Sequence, residues 1–246
     1  MPRMKLTVEY DGSCYHGFQY QKNANTVQEQ LEAGIYTLTK EKVKIICAGR
    51  TDAGVHALGQ VVAFDTGSNI PADRIPAALN SYLPDDIRVM DCMEAENSFN
   101  PRFEALRKHY KYYIYREKAG VAIYRNYAYC NTETLDLNNM KKACAYFVGY
   151  HNFNAFCARG STNKTFDRTI FKCQINEKTP FWIFDISANG FLYNMARIIV
   201  GTVLDVGRGK YSPDHISQII ISRDRKMAGA TVPPQGLYLF RVEYKE

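Results

Sequence analysis

The chain has 246 residues, 46% of them apolar, a length that builds a sizeable core as one domain or two small halves. It contains no apolar run of roughly 18 residues and no charged-then-apolar leader ending in small residues, so the expectation is a cytoplasmic chain with no membrane span. The formal charge of +6 is unevenly spread: residues 1–104 hold 10 Lys/Arg against 14 Asp/Glu, and residues 105–246 hold 21 against 11. Clustered cations gain by displacing phosphate counterions, so the second half is the one suited to a polyanionic partner. Seven widely spaced cysteines with no C-x-x-C give neither a zinc knuckle nor a secreted disulfide framework, and most read as buried thiols.

In chain order, KLTVEY (5–10) is β-branched and aromatic and ends at the Asp11-Gly12 turn signal. Thr26 and Glu29 form a capping box, each side chain meeting an orphan amide, ahead of Val27, Leu31, Ile35 and Leu38 at helical spacing. Strands are expected at 43–48 and 60–66. A helix after Pro71 should turn Ile75, Ala78, Leu79 and Tyr82 inward, followed by a strand at 87–94. The order is β-α-β-β-α-β.

The second half repeats it. KHYKYYIY (108–115) is a strand, and a helix at 136–148 points Met140, Ala143, Cys144 and Phe147 inward. Strands at 168–176 and 181–188 are joined around Lys178-Thr-Pro180. A helix at 191–206 comes next, then a shorter one opened by Ser212-Pro213. GLYLFRVEY (236–244) closes the chain. Two such units are the ferredoxin-like split motif in tandem, an α/β (α+β) chain divided into residues 1–104 and 105–246. The division falls near Asn100-Pro101. Many functions share this unit, so element order alone assigns none.

Candidate sites stand out against that pattern. Between two apolar stretches lies CAGRTDAGVHALGQ, with Arg50 two residues before Asp52 in a glycine-punctuated bend. Asp and Gly favour turns without any chemistry. A nearby arginine, however, also holds a carboxylate ionised, as a nucleophile or base requires. The glycines at 49, 54 and 59 match neither a dinucleotide fingerprint nor a P-loop. FDTG (64–67) is half of an aspartic-protease dyad with no second half in the chain. Period-two alternation places Tyr110, Tyr112 and Ile114 on one strand face, and a tyrosine there either packs the core or stacks on a base and handles a proton. In LYNMARIIVG, Arg197 lies off the apolar stripe of Leu192, Met195, Ala196, Ile199 and Val203. It is either solvated or buried against a carboxylate, with Gly201 leaving room for close approach.

These residues together resemble the family of tRNA pseudouridine synthase A, the TruA type. GRTDAGVHALGQ is its most specific string. YDGSCYHGFQYQ, NSYLPDDIRV, RKHYKYYIYR, FDRTI, NGFLYNMARIIVG and the closing GLYL resemble its other landmarks in order, across nearly the whole chain. Two positions depart: Asn152 stands where members often have aspartate, and Ala196 where they usually have valine. The resemblance implies the pseudouridine synthase fold, with a central mostly antiparallel sheet and a basic cleft. It implies isomerisation of uridine to pseudouridine at positions 38, 39 and 40 of the tRNA anticodon arm, by a homodimer with no metal or organic cofactor. It places Asp52 on the catalytic aspartate, Tyr110 on the tyrosine that stacks on the target base and handles its C5 proton, and Arg197 on the arginine that pairs with the aspartate. Arg50 falls on a residue that helps hold the flipped nucleotide, and Leu237 on the leucine beneath the tyrosine. The rival from another class is a non-catalytic RNA-binding protein of two ferredoxin-like units; it has no use for a carboxylate facing phosphates. A hydrolase using Asp52 is a third reading, and would release free uracil.

Overall fold

The computed structural model describes residues 1–245. Its strands are β1 (Arg3–Tyr10), β2 (Ile46–Cys47), β3 (His56–Asp65), β4 (Ile87–Ala95), β5 (Arg107–Tyr115), β6 (Tyr129–Cys130), β7 (Gly149–Asn152), β8 (Asp167–Lys178), β9 (Phe181–Ala188) and β10 (Leu237–Glu243). Its helices are α1 (Val27–Thr39), α2 (Ile75–Asn80), α3 (Val121–Tyr124), α4 (Leu137–Ala145), α5 (Met195–Gly207) and α6 (His215–Ser222). Among the described residues no helix is long and apolar enough to cross a membrane. The chain divides into two compact units, one of residues 1–106 with the strand from Tyr238 onward, the other of residues 107–237.

In the first unit the strands run β4-β1-β3-β10, with β2 also on β3. β1 is antiparallel to both neighbours, and β10 runs parallel to β3 at Tyr238–His56 and Leu239–Ala57. Strict alternation along β1 sends Met4, Leu6, Val8 and Tyr10 inward, as a half-buried strand requires. Thr26 caps α1, its hydroxyl accepting the Glu29 amide at 3.4 Å, and Val27, Leu31 and Ile35 are fully buried beneath.

Three sequence expectations shift here. The strand at 43–48 shortens to Ile46–Cys47, because the Ile45 amide donates to Glu32 Oε1 of α1 (3.1 Å) instead of entering a ladder. The strand at 60–66 begins earlier, at His56, because the preceding residues already pair with β1 and β10. Tyr82 is half exposed, because α2 ends at Asn80 and Leu83 takes the inward place.

In the second unit β5-β9-β8-β7 form an antiparallel run, with β6 parallel to β5. Asp136 caps α4 by accepting the Asn139 amide at 2.9 Å, and Met140, Ala143, Cys144 and Phe147 all lie in the core. α4 ends at Ala145, three residues early, and the chain enters β7 at Gly149 with φ +118°. α5 begins at Met195, not 191, since Asn194 sits in the left-handed region at φ +59°. Ile198, Ile199, Val200, Val203, Leu204 and Val206 are all buried, so α5 is apolar on more than the expected stripe. At about 1.5–3 kcal/mol for each such side chain, this helix is the heaviest single contributor to the unit's core. β6, β7 and α3 were not expected; each is four residues or fewer.

Candidate active site

The bend carrying Arg50 and Asp52 runs from Gly49 to Val55 and is fixed through its backbone. Gln60 on β3 donates to the Gly49 carbonyl at 2.7 Å. The buried Thr51 shares a 2.7 Å hydrogen bond with the Tyr10 hydroxyl, and its carbonyl accepts the Phe18 amide at 3.0 Å. Val55 N–H closes the turn onto the Asp52 carbonyl at 3.1 Å, and Gly54 N–H reaches the Tyr15 carbonyl at 3.3 Å. Burial pushes the Tyr10 phenol far above its ordinary value, so it stays protonated beside Thr51.

The segment 12–18 presses on this bend from outside. A Cβ on Gly12 would lie 2.1 Å from the Val55 carbonyl oxygen, so only glycine admits that approach. The Gly12 amide nitrogen and Asp11 Oδ1 each lie 3.1 Å from Nδ1 of the buried His56, whose ring stacks on Tyr238 at 4.6 Å. Tyr15 in turn donates to Asp86 at 2.5 Å, and burial raises its phenol pKa, with the Asp86 bond adding to the rise. On this clamped backbone Asp52 is half-buried and Arg50 exposed. A fixed main chain holding up a partly solvated carboxylate gives a reactive group a set direction without the full cost of burying its charge.

In the second unit Tyr110 stands on β5 opposite Ile186 of β9, 7% exposed, its ring edge-to-face with Phe191 at 4.7 Å. Two residues on, the fully buried Tyr112 donates to the Pro233 carbonyl at 2.8 Å. Arg197 lies in the first turn of α5 and is half-buried. Its Nε donates to the Val232 carbonyl at 2.7 Å and its Nη1 to Asn194 Oδ1 at 2.8 Å. The guanidinium is therefore clamped to the backbone rather than simply solvated. Burial raises the Tyr112 phenol pKa, and the Arg197 charge opposes that rise without overcoming it.

Two successive carbonyls, of Val232 and Pro233, are thus held by Arg197 and Tyr112. The segment lies as a strap over α5: a Cβ on Gly201 would come within 1.9 Å of the Ala230 carbonyl oxygen, and Gly229 N–H donates to Thr202 Oγ1 at 2.9 Å. Gly201 does serve a close approach, and what approaches is backbone. The strap ends in Leu237, 5% exposed, directly after Gly236 has passed the Tyr112 ring.

The bend thus presents Arg50 and Asp52 in the first unit, while Tyr110, Arg197 and Leu237 lie in the second, Arg197 and Leu237 at the two ends of the Val232–Leu237 segment and Tyr110 against Phe191. The supporting groups Tyr10, Gln60, Tyr15 and Tyr112 were not singled out in the sequence. Alternation did place Tyr112 beside Tyr110, but its partner lies 121 residues away, where no local pattern reaches. Asn152 donates to Asp167 Oδ1 at 3.1 Å; an aspartate there would set two carboxylates face to face. Among the described residues no three His, Cys, Asp or Glu side chains cluster as a metal site would.

A family model described as tRNA pseudouridine synthase matches residues 6–104 and 143–245, most of both halves, and the chain belongs to that family. Within it the chain is similar to proteins named tRNA pseudouridine synthase A. The one from Syntrophomonas wolfei is 58% identical over 246 residues, covering 100% of this chain and 99% of the relative. Those of a Thermoanaerobacter strain (49% identical; 99% of this chain, 100% of the relative) and of Bacillus subtilis (43%; 98% and 99%) match as fully.

Proposed function

We propose that this chain isomerises uridine to pseudouridine in tRNA, at positions 38, 39 and 40 of the anticodon arm, as a cytoplasmic homodimer. The observation that carries the reading is the Gly49–Val55 bend, whose backbone is hydrogen-bonded at Gly49, Thr51, Asp52 and Gly54 while the Asp52 side chain remains half exposed. A loop that only turned the chain would need no such clamp around a carboxylate.

Isomerisation breaks the C1′–N1 bond, rotates the uracil, forms C1′–C5, and moves one proton from C5 while N1 gains one. The target must first leave the base stack, at about a few kcal/mol. Asp52 is the reacting carboxylate, whether toward the base, toward C1′ or toward a sugar proton; each route needs it ionised. Arg197 is the cation that serves it, and its clamp on Val232 and Asn194 keeps the guanidinium from swinging into solvent. Tyr110 stacks on the target base and handles the C5 proton, Leu237 supports the tyrosine, and Arg50 holds the extruded nucleotide. The residues invoked need no metal or organic cofactor.

The test is release of tritium from unmodified tRNA labelled at uracil C5, with the product mapped by position and the protein's mass measured by sedimentation. Release with pseudouridine at 38, 39 or 40 and a dimer mass is expected. Tight tRNA binding without release would make the chain a binder, and free uracil would make it a hydrolase.

A further inference from the structure

We propose that two loops of the second unit, residues 157–168 and 222–228, form a grip for the phosphates that flank the target uridine. This rests on the reading of Arg197 as part of the reaction site. The loops hold six Lys/Arg (Arg159, Lys164, Arg168, Arg223, Arg225, Lys226) against two aspartates, Asp167 and Asp224. They are neighbours: Asn154, at the entry to the first, donates from Nδ2 to the carbonyl of Arg223 in the second at 3.1 Å.

The six cations divide by their bonding. Arg168 and Arg225 are spent on the loops themselves. Arg168 donates to the Asp167 and Thr165 carbonyls, and Arg225 to the Ala228 carbonyl and Thr231 Oγ1. Arg159, Lys164, Arg223 and Lys226 are exposed, and among the described residues none of their side chains takes a hydrogen bond or an ion pair. Other exposed cations also lack a carboxylate among the described residues, Lys42 and Lys44 of the first unit among them, so what sets these four apart is that they share two adjoining loops beside the anchors of Arg197. Four unpaired cations on two adjoining loops raise the local potential, which a polyanion relieves with release of its counterions.

Placement says which polyanion. Each loop is tied next to one anchor of Arg197. Ala158 N–H donates to the Tyr193 carbonyl (3.0 Å), and Tyr193 adjoins Asn194, which takes Nη1. Arg225 reaches Thr231 (3.3 Å), which adjoins Val232, whose carbonyl takes Nε. The exposed Tyr193, 45% accessible, adjoins Asn194 in sequence and offers a ring for stacking. Phosphates of an RNA strand fit this combination; a protein partner would call for paired carboxylates and an apolar centre.

The test compares wild type with the quadruple variant Arg159→Gln, Lys164→Gln, Arg223→Gln, Lys226→Gln, and with a control, Lys40→Gln, Lys42→Gln, Lys44→Gln, whose exposed lysines lie in the first unit. Binding of unmodified tRNA is followed by fluorescence anisotropy across a potassium chloride series. At about 0.7–0.9 per lost phosphate contact, the quadruple variant should flatten the log K against log salt slope by about three. It should raise KM for tRNA while leaving kcat at saturation and the thermal midpoint unchanged, and the control should keep the wild-type slope. An unchanged slope in the quadruple variant, or an equal loss in the control, overturns the grip. A fall in kcat or in the midpoint with an unchanged slope also overturns it, since that marks a structural role. The proposed reaction fails separately, by wild type making no pseudouridine; the slopes still decide whether these loops hold RNA.

Discussion

Replacing Gly201 by alanine tests the strap that fixes Arg197. The added methyl would stand 1.9 Å from the Ala230 carbonyl oxygen, more than 1 Å inside any tolerable approach. α5 cannot yield, because its residues on both sides, Ile198, Ile199 and Val200 before and Val203, Leu204 and Val206 after, are buried. The strap must therefore lift, and it is held by Arg197 on Val232, Tyr112 on Pro233 and Gly229 on Thr202. Overpacking costs about 1–3 kcal/mol, and losing a charged hydrogen bond about 1.5–3 kcal/mol more, roughly 3–6 kcal/mol together. In a chain of this size each kcal/mol moves the midpoint by about 2–4 °C, so calorimetry should show the transition that unfolds this unit falling by about 10 °C. Pseudouridine formation should fall with it, measured well below the new midpoint, because Arg197 and Leu237 both depend on the strap. A Gly201→Ala protein within about 1 kcal/mol of wild type, with full activity, would show that the strap does not position them.

Tyr110→Phe keeps the ring and loses the hydroxyl; tritium release should drop by about 10²–10⁴-fold, the usual worth of a positioned acid or base, with tRNA affinity kept, and normal turnover would leave the tyrosine a stacking role only. Asp65 is held below its ordinary pKa chiefly by its hydrogen bond to Arg3, so this pair stabilises the fold above the unfolded carboxylate value and loses that contribution as pH falls through the folded one. The Asp65 part of Arg3→Gln should thus cost up to about 1 kcal/mol at pH 7, because the pair is near the surface, and the difference from wild type in urea melts should shrink in strong acid to what the Arg3 bond to the Phe99 carbonyl contributes. Burial, helped by Asp91 and Glu94, pushes the Cys92 thiol up to about 12, so at pH 8 a thiol reagent should label the exposed Cys14 within minutes and Cys92 only after unfolding; equal rates would refute its burial.

What could be read ahead depended on range. Period placed α1 and α4 and their inward residues, and a capping box marked the start of α1, because a helix face and a capping side chain are set by residues three or four apart. The ends of α5 and α2 were misjudged because they depend on single residues, the left-handed Asn194 and the switch from Tyr82 to Leu83, where composition is neutral. Arg50 and Asp52 announced themselves by standing close together in a bend between apolar strands. The groups that hold that bend, Tyr10 at the end of β1 and Gln60 within β3, are ordinary in their own windows, and only folding brings them to Thr51 and Gly49. The same holds for Tyr112 and the strap, joined across 121 residues. Spacing pointed to the candidate residues, while the hydrogen bonds that hold the bend and the strap are long-range.

The most direct test of the account is Asp52→Asn measured beside wild type for both tritium release and tRNA affinity. The substitution keeps the size and the backbone bonds of the bend and removes only the charge. Release should be abolished and the dissociation constant for unmodified tRNA should stay within a few-fold, since phosphate contacts dominate binding. An Asp52→Asn protein that still releases tritium at near the wild-type rate would take the carboxylate out of the reaction and contradict the account at its centre.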